Sequence, residues 1–111
     1  MTKAWNEIKK EYFKDVLVCE CYCGCGKPPT EAHHTFIQAR KSFRKYTDVI
    51  ENMSAVCTDC HVKHAHSYKF RKHRADDMWC IGLIVVGAWL NTLPSKLDSV
   101  KEEALRLFDY E

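Results

Sequence analysis

The sequence lacks a long apolar run and a secretory leader. Its longest apolar run, Trp79–Leu90, is too short for a membrane span, which takes about 20 residues. The opening residues MTKAWNEIKKEYF carry several charges and no apolar stretch of the kind found in a secretory signal. Internal repeats and low-complexity segments are also lacking. We therefore expect neither a membrane protein nor a secreted one, and predict a cytoplasmic location.

The chain has 111 residues, 46% of them hydrophobic, which is enough for one domain with an ordinary core. Short β-prone stretches predict strands at residues 15–25, running into a turn at two glycines, and at residues 31–37. Helices are predicted at residues 4–13, 60–74, 79–90 and 95–108, the third of them buried on all sides. Together these elements predict an α+β fold for residues 1–111.

Seven cysteines are many for a chain of this length. Because the number is odd and no signal precedes them, we expect reduced thiolates that bind zinc rather than a disulfide scaffold. Cys57 and Cys60 form a C-x-x-C pair, and four more cysteines alternate with other residues from position 19 to position 25. A closed four-thiolate zinc site needs two of those four.

The spacing leaves one of these zinc ligands open. Cys25 is the firmest of the four, because Gly26 after it relieves the crowded turn. A C-x-C spacing is tight for a chelate, and a C-x₃-C spacing is loose. We assign Cys21 as the partner of Cys25, with Cys23 possible in its place, while the spacing alone does not exclude Cys19.

Two adjacent histidines, His33 and His34, stand ahead of Asn52 and of His61, which follows Cys60 directly. Neighbouring residues of a strand point to opposite faces, so the pair alone says little. Linked to Asn52 and His61, it indicates a second, reactive metal site besides the zinc. His64 could add a ligand there, although a solvated side chain is the simpler interpretation.

Positive charge is concentrated in the middle of the chain. Residues 35–74 hold nine Lys and Arg against three Asp and Glu, whereas residues 75–111 hold three against seven. A local positive field attracts polyanions whatever the total charge. The basic residues flank aromatic ones in two groups, Arg40, Lys41, Arg44 and Lys45, then Lys69, Arg71, Lys72 and Arg74. We expect them to bind phosphates with little sequence preference.

Two stretches of the chain resemble a known family. The strings C-G-K-P-P-T-E-A-H-H and I-E-N-M-S-A-V-C-T-D-C-H are similar to those of the HNH endonucleases, which have a zinc-bound ββα-metal core. The resemblance covers roughly residues 19–66. The chain departs from the family pattern in one respect, since its first cysteine pair is not a C-x-x-C. It implies a core at about residues 15–74, with an N-terminal helix and a C-terminal helical extension at about 75–111.

The resemblance also implies a role for each matching residue. His34 would be the general base, and His33 and His61 would bind a catalytic divalent metal, which could be Mg²⁺, Mn²⁺, Ni²⁺ or Zn²⁺. Asn52 would hold its loop and help to orient His34. The structural zinc would be held by the cysteines assigned above, namely Cys21 or Cys23, Cys25, Cys57 and Cys60. The expected reaction is hydrolysis of DNA phosphodiester bonds, and a phage origin would fit such a small enzyme.

Two other functions fit the same residues. The chain could be a non-catalytic zinc module that binds nucleic acid or a protein, although such a module has no need of the histidines and Asn52. It could also be the nuclease subunit of a phage packaging or recombination machine, docked through its C-terminal helices. The apolar run at 79–90 could also form a homodimer interface.

Overall fold

The computed structural model describes residues 2–108, without the side chains of Trp79, Cys80 and Leu83. This part of the chain is a small α+β domain, which confirms the predicted fold class. Its two strands are β1 (Glu31–His34) and β2 (Met53–Val56), and its helices are α1 (Lys3–Phe13), α2 (Arg44–Thr47), α3 (Thr58–Lys63), α4 (Tyr68–Asp77), α5 (Trp79–Leu90) and α6 (Asp98–Arg106). None of these helices is long and apolar enough to cross a membrane.

The two strands form an antiparallel sheet that leads directly into α3. Glu31 pairs with Val56 and His33 with Ser54. All four residues of β2 are buried, and Cys57 after it caps α3 by accepting a hydrogen bond from the Cys60 amide. In chain order β1 is followed by α2, β2 and α3, so the paired strands lead into a helix with the C-x-x-C pair at the junction.

Asn52 joins the segment after β1 to the segment before β2. Its side chain is fully buried. Oδ1 accepts hydrogen bonds from the amides of Phe36 (2.8 Å) and Ile37 (3.1 Å), and Nδ2 donates to the carbonyls of Ile37 (2.8 Å) and Thr47 (3.0 Å). One amide side chain thus satisfies four backbone groups in a place that water does not reach.

The strand predicted at residues 15–25 is wrong. That segment contains no regular element, and its backbone is held by single bonds, from Cys19 to the Lys27 carbonyl and from Glu20 to the Ala55 carbonyl. Gly24 has a φ of 64°, in the left-handed region that favours glycine. The alternating residues therefore do not mark a pleated strand, because the chain turns back on itself to bring its cysteines to one place.

The single helix predicted at residues 60–74 is also wrong, since the structure divides it into α3 and α4. Ser67 caps α4 by accepting a hydrogen bond from the Phe70 amide, and its hydroxyl donates to the His64 carbonyl. Between the helices, Ala65 is completely buried. Burial of this residue and the serine cap interrupt a segment that has no glycine or proline.

The apolar helix α5 is buried on one side only. Val86 and Leu90 lie in the main core with α6, whereas Ile81 and Ile84 are 69% and 74% exposed. The prediction of burial on all sides is therefore wrong, because α6 and the segments before β2 cover only one side of the helix. A homodimer through this face stays a prediction.

Replacement of Asn52 by alanine should destabilise the fold by about 3 kcal/mol, because it leaves several buried backbone groups without partners. Urea unfolding monitored by circular dichroism measures the change. Asn6→Ala is the matched control, since Asn6 lies exposed on α1, and it should change stability by less than about 0.5 kcal/mol. Equal effects of the two substitutions would contradict the role assigned to Asn52.

Candidate metal centres

Six cysteines lie together where the loop of residues 19–25 meets the start of α3. Cys19, Cys25, Cys57 and Cys60 have all their sulfurs within 4.8 Å of one another. This spacing suits one tetrahedral zinc, whose thiolates would lie about 3.8 Å apart at Zn–S bonds of about 2.3 Å. The cluster could therefore hold a structural metal ion such as zinc.

The structure differs from the expected ligand set in one position. Cys19, rather than Cys21 or Cys23, joins the other three sulfurs, because the Cys57 amide donates to the Cys19 sulfur over 3.3 Å. Cys21 and Cys23 group instead with Cys60. Both lie in the turn that the hydrogen bond from the Gly24 amide to the Cys21 carbonyl closes.

Burial favours the protonated form of three of these thiols. It raises the pKa of the Cys19, Cys21 and Cys60 thiols above the ordinary value. A hydrogen bond from the Lys27 amide lowers the pKa of Cys25, which is exposed. Buried neutral thiols become thiolates when a metal ion replaces their protons, so metal binding and folding are coupled.

Removal of metal by a chelator should therefore lower the melting temperature by at least about 10 °C, and added Zn²⁺ should restore it. Differential scanning calorimetry with EDTA, and then with excess zinc, measures the effect. A melting temperature that is the same with and without the chelator, in protein shown by elemental analysis to have lost its metal, would contradict a structural ion.

Three imidazoles form a second group, on the other side of β1 and α3. His33 comes from β1, His61 from α3 and His66 from the break before α4, and their ligand nitrogens lie within 4.8 Å of one another. The ring centres of His33 and His61 are 5.1 Å apart, and those of His33 and His66 are 4.8 Å apart. Burial, aided by the nearby histidines, lowers the pKa of His33 to about 3. His33 is thus neutral at neutral pH, as a metal ligand must be.

His66 is a residue that the sequence reasoning did not select. The expected extra ligand was His64, which instead lies 3.1 Å from the Tyr22 hydroxyl through its Nδ1. The difference follows from the break between α3 and α4, because an uninterrupted helix would have placed His64 beside His61. His66 reaches His33 because the chain leaves the helix after α3 and buries Ala65.

Glu31 contacts the three-imidazole group through His61. Its carboxylate lies 2.5 Å from Nδ1 of His61 and accepts a hydrogen bond from the Thr58 hydroxyl. The bonds from Thr58 and His61 lower the pKa of Glu31, so the carboxylate is ionised. An ionised partner holds the proton on Nδ1 of His61 and leaves Nε2 free to bind a metal, an arrangement common around protein metals.

His34 points away from His33 and has a different partner. Its Nε2 lies 2.8 Å from the carboxylate of Asp48, whose side chain is 3% exposed. Burial tends to raise the pKa of Asp48, but hydrogen bonds from Thr2, His34 and Arg44 lower it overall. The indole of Trp5 stacks on the imidazole with ring centres 3.8 Å apart. The ring is therefore fixed in place on one face and at one nitrogen.

The same contacts decide which nitrogen of His34 carries the proton. An ionised Asp48 only accepts hydrogen bonds, so Nε2 is the donor and Nδ1 keeps its lone pair. Burial lowers the pKa of His34 against the opposing effect of Asp48. His34 is thus a neutral imidazole that can take up a proton at Nδ1.

Two clefts open beside these histidines. The larger has a volume of about 400 Å³ and is lined by residues of both groups, among them Trp5, His33, His34, His61 and His66. The smaller has a volume of about 240 Å³ and includes His33, His34, His66 and Arg40. A ligand in the larger cleft would be within reach of His34 and of the three-imidazole group at once.

Half of the basic residues expected to bind phosphate are engaged inside the protein. They contact acidic groups and backbone carbonyls: Arg44 with Asp48, Arg71 with Glu103, Lys72 with Asp76, and Arg74 with Glu20. The other four are exposed, namely Arg40, Lys41, Lys45 and Lys69. Arg40 and Lys41 lie just before α2 and Lys45 lies in it, so three of these four exposed cations come from one short stretch of the chain.

Comparisons of the chain with models of protein families, with curated proteins and with solved structures find no match. A function for the protein therefore rests on the chemistry of its own residues. These residues offer a thiol cluster able to hold a metal ion, three imidazoles able to hold another, and a neutral histidine beside them.

Proposed function

We propose that the protein is a metal-dependent DNA endonuclease of the HNH type. The observation that carries the proposal is the placement of His34 and the three-imidazole group around one cleft. A proton acceptor and a metal site on the same cleft are what phosphodiester hydrolysis requires. The two paired strands that lead into α3 support a ββα-metal core around them.

The three-imidazole group fits a reactive metal rather than a structural one. It offers three imidazole nitrogens, one of them on a ring that contacts a carboxylate, and leaves positions open for substrate and water. Imidazole ligands favour Mn²⁺, Ni²⁺ or Zn²⁺ over Mg²⁺. When bound, such an ion would supply the positive charge that stabilises the leaving oxygen.

His34 acts as the general base in this proposal. A water in the cleft gives its proton to Nδ1 of His34, while the Nε2 proton stays on the Asp48 side. Asp48 remains ionised and stabilises the imidazolium that forms. Asp48 and Trp5 are positioning residues in this proposal, since they hold the ring of His34 in place.

Exposed cations beside the cleft bind the DNA backbone. Arg40 lines the smaller cleft. Lys41 follows it directly, and Lys45 lies in α2, one helical turn further along the chain. Cations of this kind contact phosphates without reading bases. Arg44 is less suited to this role, because Asp48 already pairs with its guanidinium at 2.9 Å.

The thiol cluster holds the structural zinc of this enzyme. We assign Cys19, Cys25, Cys57 and Cys60 as its ligands, since these four sulfurs are mutually close. The ion would tie the loop before β1 to the first turn of α3. That tie fixes the position of His61, which follows Cys60 directly.

Wild-type protein should nick supercoiled plasmid when Mn²⁺ or Ni²⁺ is added, and not in EDTA. His34→Ala should lower the rate by roughly 10² to 10⁴-fold, the usual contribution of a general base. His61→Ala should abolish metal-dependent nicking through loss of a ligand. Agarose gels of a time course measure all three.

His73→Ala is the matched control for these variants. His73 is a histidine on α4 with 42% side-chain exposure, outside both metal groups. It should nick like the wild type. Nicking by His34→Ala at the wild-type rate would refute the role of His34. Tight DNA binding by zinc-loaded wild type without any nicking would favour the non-catalytic zinc module instead.

Glu31→Ala should weaken metal binding by the imidazoles about 10- to 100-fold, the usual cost of losing a carboxylate behind a ligating histidine. Calorimetric titration of Mn²⁺ or Ni²⁺ into zinc-loaded protein measures the affinity. Glu7→Ala, on the exposed side of α1, is the control and should bind as the wild type does. Unchanged affinity in Glu31→Ala would show that the Glu31 contact does not tune the site.

A further inference from the structure

Cys60 is the centre of the thiol cluster. Its sulfur lies 3.4 Å from that of Cys23 and 3.8 Å from that of Cys25. It belongs to two sets of thiols, each with its sulfurs mutually within 4.8 Å: the four assigned to the structural zinc, and a second set made of Cys21, Cys23 and Cys60. The two sets share Cys60 and no other residue.

A single tetrahedral ion uses only the first set. Its four positions are filled by Cys19, Cys25, Cys57 and Cys60, so Cys21 and Cys23 are left over. Packing accounts for Cys21, which is buried in the core around Cys60, but it does not account for Cys23. Cys23 is exposed, so it gains little from burial, yet its sulfur lies against that of Cys60.

We infer that the cluster holds a second zinc ion, bound by Cys21 and Cys23 with Cys60 as a bridging thiolate. A thiolate sulfur has lone pairs enough to bind two ions, and the short distances around Cys60 place it between the two sets. The second ion has three protein ligands and an open position, unlike the closed four-thiolate site. This inference rests on the first zinc site proposed above.

Charge does not oppose a second ion. Cys21 and Cys60 are 6% and 3% exposed, and buried thiolates are costly unless they are paired. Lys27, beside the cluster in sequence, pairs with Asp59 at 2.9 Å. A second divalent ion cancels the charge that the thiolates of Cys21 and Cys23 would add.

Native mass spectrometry of zinc-saturated protein, after removal of free zinc, tests this directly. The double variant Cys21→Ser/Cys23→Ser should carry one zinc ion fewer per chain than the wild type. An ion on the imidazoles is common to both proteins and cancels in the difference. In the loaded wild type, Cys21 and Cys23 should resist iodoacetamide. Equal zinc counts, or rapid alkylation of both thiols in the loaded wild type, would overturn the inference.

Cys19→Ser separates this inference from the first zinc site. It should lose the closed-site ion and melt at a lower temperature, whereas the double variant should keep its melting response to EDTA. If Cys19→Ser kept its full zinc content, the four-ligand assignment would fail, whatever the double variant showed. The zinc count of the double variant tests the second ion, and its nicking rate tests the nuclease separately, so failure of one does not imply failure of the other.

Discussion

The contact between the cysteine loop and the first turn of α3 is the constraint on which the rest of the domain depends. The sheet has only two strands of four residues, too little to be stable alone. The loop before it has no regular structure, so it is held by its thiols, a few backbone bonds and the side chains of Glu20 and Tyr22. Because Cys60 is followed by His61, any shift of this contact also moves an imidazole of the three-imidazole group.

The two adjacent histidines of β1 lie in two different surroundings. Consecutive residues of β1 face opposite ways, so His33 joins the imidazole group while His34 meets Asp48. Each centre has its own carboxylate, Glu31 behind His61 and Asp48 behind His34. Both carboxylates are ionised and both fix a proton on one ring nitrogen, which leaves the other nitrogen for a metal or for a proton from water.

The sequence motifs predicted the local parts of this arrangement. The C-x-x-C pair, the opposite faces of the two histidines and the helix at α1 follow from short spacings. The partners Trp5 and Asp48 come from distant segments, and no spacing links them to His34. His66 could not be predicted as a member of the imidazole group. The break before α4 depends on the burial of Ala65 by other parts of the fold, and no glycine or proline in the sequence marks it.

Anomalous diffraction from crystals of zinc-loaded protein soaked in Mn²⁺ tests the central claim most directly, since it locates both metal centres at once. We expect zinc density among the cysteine sulfurs and a manganese peak between His33, His61 and His66. We expect no metal on His34, whose Nδ1 must stay free to accept a proton. Manganese bound to His34, or no ion between the three imidazoles, would contradict the account.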